Sequence, residues 1–109
     1  MPTFVIANRA RKEYRGSPDA AAAWSAWFGR LGAHLVDPGN PVFARTALGD
    51  CGPGTVLGGY TLVRADDWAA AVALAESCPA LAAGGGVEVG ELTPLNPGPR
   101  ASADARGPQ

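Results

Sequence analysis

The chain has 109 residues, 47% hydrophobic and 17% charged, with nine Lys or Arg against ten Asp or Glu and a formal net charge of −1. That length holds one domain, and the slightly acidic balance argues against a nucleic-acid partner, which wants a basic face. A single His and two Cys that form no CxxC cannot build a zinc site of the usual type without several carboxylates, and no apolar run is long enough to span a membrane.

Thr3 to Asn8 is a β-branched and aromatic run and predicts a first strand. Phe4 and Ile6 point to one face and Val5 to the other, so both faces are apolar. Arg9 to Gly16 is a polar loop. Ser17-Pro18-Asp19 then opens a helix: Ser caps it, Pro suits its first turn, and Asp complements the positive end. Trp24, Trp27, Phe28 and Leu31 share one helical face, and Gly32 is the expected cap. Leu35-Val36 restarts extended structure, and Asp37 to Pro41 is a dense turn signal. Val42 to Leu48 reads as the second strand, followed by the loop Gly49 to Thr55.

Leu57 to Arg64 predicts a third strand, with Tyr60, Leu62 and Arg64 on one face and Thr61 and Val63 on the other. Asp66 is the expected cap of a second helix, with Asp67 in its first turn. Trp68, Ala71, Val72 and Ala75 form its inner stripe, and Pro79 ends it. After the turn Gly84-Gly85-Gly86, Val87 to Thr93 is a fourth strand, with Glu88 opposite Val87 and Val89. Residues 94–109 hold one large apolar side chain, Leu95, and are expected to be a disordered tail. The folding unit is then residues 1–93, with seven basic and nine acidic side chains.

The order βαββαβ predicts an α+β, ferredoxin-like domain: a four-stranded antiparallel sheet with two helices on one face. The other face stays open and apolar, and a second copy is its simplest cover, so a homodimer is expected.

Taken as an ordered set, Trp24-Ser25-Ala26-Trp27-Phe28, Leu31-Gly32, Val36 to Pro41, Gly59-Tyr60, Ala65-Asp66-Asp67, Cys78-Pro79 and Gly84 to Val89 resemble the YCII-related domain proteins. The resemblance spans residues 3–93 and implies a dimeric α+β barrel, with a small cleft in each subunit between sheet and helix. Some relatives are thought to be lyase-like or hydrolase-like enzymes that use a His–Asp pair. In that branch a His lies early in the first helix, and an Asp precedes the Pro after the second. Here those places hold Ala20 to Ala23 and Cys78.

His34 and Asp37 are the candidate acid–base pair; alternatively His34 simply suits a helix C-terminus and Asp37 a turn. Glu88 is either a ligand-site carboxylate or the partner of Arg64 or Arg45 in a salt bridge. Cys78, at a helix end, reads as a buried structural thiol, and Cys51 has no activating base beside it. Arg9, Arg11, Lys12 and Arg15 form either a solvated loop or an anion-attracting mouth, with Arg9 and Arg15 the candidate ligand contacts. The three Trp read first as core; Trp27 could instead line a cleft, as could Tyr60, whose hydroxyl wants a partner. The glycine runs fit neither GxGxxG nor a P-loop. Two functions follow as expectations. One is binding or transforming a small anionic metabolite by metal-free acid–base or lyase chemistry, without a cofactor, in a cleft lined by Trp27, His34, Asp37, Tyr60 and Glu88. The other is a noncatalytic dimeric interaction module. A cytoplasmic location with reduced thiols is expected for both.

Overall fold

The computed structural model describes residues 1–95. Within them, strands β1 (Thr3–Arg11), β2 (Leu35–Asp37), β3 (Thr55–Arg64) and β4 (Gly86–Glu91) alternate with helices α1 (Pro18–Leu31), α2 (Trp68–Ala75) and α3 (Pro79–Ala82) in the order β1-α1-β2-β3-α2-α3-β4. The sheet runs β2-β3-β1-β4 and every pairing is antiparallel. This α+β arrangement is compatible with the ferredoxin-like fold expected from the element order. No helix among the described residues is long and apolar enough to cross a membrane. The tail expected over residues 94–109 lies, from residue 96 onward, outside the described residues.

The core sits on one face of the sheet. Phe4 and Ile6 of β1 and Val63 of β3 meet Trp27 and Leu31 of α1 and Ala71 and Ala75 of α2. Strand alternation puts every second β1 residue on this side. The register Phe4↔Val63, Ile6↔Thr61, Asn8↔Gly59 carries the same face onto β3. Val5, Ala7, Tyr60 and Leu62 therefore lie on the face without helices.

Helix α1 starts as its residues dictate: the Ser17 hydroxyl accepts from the Ala20 amide at 3.0 Å and Pro18 fills the first turn. At its other end Gly32 takes φ 55° and its amide returns to the Phe28 carbonyl. A 3₁₀ turn, Gly32–His34, then leads directly into β2.

Four details differ from the sequence reading. Strand β1 runs on to Arg11, taking three residues of the segment read as a polar loop, because Thr55 to Leu57 of β3 offer them a partner. The second strand is Leu35–Asp37, and residues 42–48 are a loop. The backbone of that loop pairs with the sheet at the Pro41↔Gly59 bridge and through the Val42 amide to Gly58 carbonyl bond of 3.0 Å. Pro41 has no N–H to continue a ladder. The Arg45 guanidinium takes the carbonyls of Val42 and Leu57, which a strand pairing would have used. The cap of α2 is Asp67, whose carboxylate accepts from the Ala70 amide at 2.8 Å; Asp66 lies one residue outside. Finally, Pro79 does not merely end a helix but begins one. Cys78 is extended (φ −64°, ψ 131°), as a residue before Pro prefers, and α3 follows.

Candidate functional site

A cleft of about 410 Å³ opens between the Ala20, Ala21, Trp24 and Phe28 side of α1 and the adjoining ends of β1 and β3. Trp24 and Phe28 of α1 supply its aromatic wall, with Ala20 and Ala21 beside them. The loop from Pro38 to Arg45 forms another side. The cleft falls here because the core tapers. Along the helix-facing side, the cross-strand pairs shrink from Phe4↔Val63 through Ile6↔Thr61 to Asn8↔Gly59. Trp27, three residues from Trp24, is fully buried at the filled end, while Trp24 is only half-buried at the open end.

The loop's position is fixed by its own chemistry. The Asp37 carboxylate accepts from the Gly39 amide at 2.8 Å, a side-chain turn of the kind Asp favours. Gly39 has φ 74°, and a Cβ there would collide with the Tyr60 carbonyl, so only glycine lets the loop lie this close to β3. Thr61, 1% exposed, donates its hydroxyl to the Pro38 carbonyl at 3.1 Å. Asn40 donates to the Tyr60 hydroxyl at 3.3 Å.

At the floor lies Asn8, 9% exposed. Its carboxamide rests over Gly58 and Gly59, where side chains would strike it: a Cβ on Gly58 would come within 2.5 Å of Asn8 Oδ1. Its neighbours Arg9, Tyr60 and Thr61 all make side-chain hydrogen bonds, but the Asn8 amide makes none among the described residues.

Three arginines line the cleft, and each is engaged differently. Arg9, Arg11 and Arg45 contribute to its wall, and no Asp or Glu does. Arg11 pairs with Glu13 at 3.0 Å; a hydrogen bond from Glu13's own backbone amide, and then this contact, hold the Glu13 carboxyl below its ordinary range. Arg9 instead bonds the Thr55 hydroxyl and the carbonyls of Thr55 and Cys51 at 2.8–3.1 Å, tying the Gly-rich loop to β1. Neither Arg9 nor Arg45 has a carboxylate partner among the described residues.

Of the residues singled out in the sequence, Tyr60 and Arg9 are in this wall. Trp27 is 0% exposed in the core, its indole N–H donating to the Leu74 carbonyl at 3.2 Å. Arg15 is exposed and bonds the Tyr14 carbonyl. His34 is exposed at the end of the 3₁₀ turn, its Nδ1–H donating to the Arg64 carbonyl at 3.0 Å. Glu88 is exposed on β4, on the face without helices and in line with Ala7 and Tyr60. It has no ion-pair partner among the described residues. Arg64 lies four residues beyond Tyr60 on β3, a separation of about 13 Å at the usual strand rise.

His34, Asp37 and Glu88 therefore do not converge. Strands β2 and β4 are the two edges of the sheet, which puts Glu88 roughly 14 Å from the His34–Asp37 end at the usual strand spacing. Among the described residues no group of three or more His, Cys, Asp or Glu gathers as a metal site would require. Cys78 is buried, and burial pushes its thiol up against a smaller opposing pull from the Ala80 amide. Cys51 is exposed.

Sequence reasoning does not place Asn8 in a site, reads Trp24 and Phe28 as core, and offers Arg45 only as a partner for Glu88. Asn8 had a readable signal: it continues the Phe4, Ile6 alternation, so a polar amide was due on the buried side. Arg45 instead bonds the Val42 and Leu57 carbonyls, because its segment is a loop rather than a strand.

No protein-family model, no curated protein and no solved structure matches the chain.

Proposed function

We propose that the protein binds a small organic anion with an apolar, planar body in the cleft beneath α1. One observation carries this reading: an aromatic-walled cavity of about 410 Å³ whose wall holds no acidic residue and includes Arg45, an arginine without a carboxylate partner among the described residues. Ligand pockets fall in this size range and combine apolar walls with a few placed polar groups. Trp24 and Phe28 offer faces to a ring, and the Arg45 guanidinium, which has no carboxylate partner among the described residues, draws a carboxylate to the mouth. Binding fits better than acid–base turnover. Among the described residues the wall holds no carboxylate, imidazole or thiol, and His34, Asp37 and Glu88 lie elsewhere.

The test is a matched pair of ligands. By titration calorimetry, para-toluate should bind, and para-methylbenzyl alcohol, of the same shape but neutral, should bind at least tenfold more weakly. Arg45→Gln should narrow that gap. Equal affinity of acid and alcohol, or no binding of either at millimolar concentration, would sink the reading.

The finer architecture belongs to the same proposal. The face without helices carries Val5, Ala7, Leu57 and Leu62, with Val36 and Leu57 each 44% exposed. A second copy covering this face would form the dimeric α+β barrel that the likeness to YCII-related domains implies. The clefts lie on the opposite side of each sheet and stay open in such a dimer. Sedimentation equilibrium at low micromolar concentration should give twice the chain mass.

A further inference from the structure

The cleft's inner end is built differently from its mouth. Its floor is Asn8, nine-tenths buried, with an amide that offers a donor and an acceptor in one plane and uses neither on the protein among the described residues. Buried side-chain polar groups almost always find partners, so an idle one asks for an explanation. A purely structural Asn would bond the backbone around it. Here the two residues beneath it are glycines, and the space that their side chains would fill is what the carboxamide occupies. Thr61, one pair earlier in the register, faces the same layer but gives its hydroxyl to Pro38. That leaves Asn8 as the free reading group of the floor.

We propose that Asn8 selects ligands whose inner end carries a neutral hydrogen-bond donor beside an acceptor, as a carboxamide or lactam edge does. A planar amide pairs with such an edge through two parallel hydrogen bonds, whichever way its own oxygen and nitrogen are turned. A charged inner end would lose hydration at a floor that holds no charge to compensate it. The ligand class is then an amido acid: carboxylate at the arginine mouth, flat apolar body along Trp24 and Phe28, carboxamide on Asn8. This rests on the binding reading above and adds the polarity of the buried end.

Three benzoates that differ only in the para group test it: terephthalamate (donor and acceptor), monomethyl terephthalate (acceptor only) and para-toluate (neither). Measured by calorimetry on the full chain, terephthalamate should bind at least tenfold more tightly than the ester. Asn8→Leu should abolish that preference, bringing terephthalamate and the ester to within about twofold of each other. Because the amide is unpaired in the free protein, Asn8→Leu should also unfold at an unchanged or higher urea midpoint. Gly58→Ala is the second variant. Its Cβ would displace the amide without altering Asn8, and it should reduce the amide preference too. Equal binding of amide and ester, or a preference that survives in Asn8→Leu, overturns the role of Asn8. If para-toluate still binds in that case, the anion reading stands. If none of the three binds, both readings fall.

Discussion

Replacing Trp27 by Ala should cost most of the stability the domain has. The side chain is 0% exposed, packs edge-on against Trp24 at 5.6 Å and tilted against Phe28 at 5.5 Å, and donates its N–H to the Leu74 carbonyl at 3.2 Å. Removing a buried Trp costs about 3–5 kcal/mol through lost transfer energy and the cavity left behind. The orphaned Leu74 carbonyl adds about 1 kcal/mol. A domain of this size is stable by roughly 5–14 kcal/mol, so Trp27→Ala should be partly unfolded or close to it. Trp27→Phe separates the two contributions: it keeps a ring in the layer and should lose about 1–3 kcal/mol. Trp24→Ala is the contrast, because Trp24 is half-buried at the cleft; it should cost about 2 kcal/mol and weaken para-toluate binding. Urea unfolding followed by far-ultraviolet circular dichroism measures all three. If Trp27→Ala loses less than about 1.5 kcal/mol, or loses no more than Trp24→Ala, the division into a filled end and an open end is wrong.

Leu62→Glu, on the face without helices, should shift sedimentation from dimer to monomer, whereas an unchanged mass would place any self-association elsewhere. Gly39→Ala should lower the urea midpoint, since the added Cβ meets the Tyr60 carbonyl and the backbone has φ 74°; a loss below about 1 kcal/mol would mean the loop relocates freely. Burial raises the Cys78 thiol above its unfolded value, so between the two values the folded chain holds more protons than the unfolded one. Its contribution to stability is whole below about pH 8.5 and declines as pH rises further. Cys78→Ala should therefore show a shallower alkaline fall in melting temperature than wild type, and parallel curves would contradict the raised thiol. Ala20→Leu should reduce the cleft volume, leave stability within about 1 kcal/mol and abolish para-toluate binding; retained binding would locate the ligand elsewhere.

Much of the architecture was legible because its signals are local. Ser17-Pro18 and the stripe Trp24, Trp27, Phe28, Leu31 determine α1 before any tertiary contact forms. Alternation determined which residues of β1, β3 and β4 share a face. What could not be read was competition between segments for one sheet edge. Residues 42–48 have the composition of a strand, but Leu35–Asp37 already occupies the edge of β3, and Arg45 takes carbonyls that a longer ladder would need. The candidate acid–base residues fared differently for the same kind of reason. His34 and Asp37 are close in sequence, and Glu88 was grouped with them on chemistry alone. Strand order then sends β2 and β4 to opposite edges, a non-local fact that no spacing along the chain encodes.

The distinction between core and site is a gradient along two strands. From one end of β1 to the other the inward side chains run Phe4, Ile6, Asn8, Ala10, while their β3 partners run Val63, Thr61, Gly59, Val56. Volume falls and polarity rises together toward Asn8↔Gly59, and α1 spans the whole length at once. Its filled end, Trp27 and Leu31, meets the largest partners and provides the packing that holds the helix in place. Its open end, Ala20 to Trp24, is held by that packing and by the Ser17 cap, and need not collapse onto the sheet. A cavity is costly only where neighbouring side chains lose contacts they would otherwise make. Over a pair with an amide on one side and a glycine on the other, few such contacts exist to lose. The bulge between Asn8↔Gly59 and Arg9↔Leu57 adds Gly58 to the β3 side without adding a side chain. The cleft is thus maintained largely by packing beyond it, at Trp27 and Leu31, while Trp24 and Phe28 serve both that packing and the open wall.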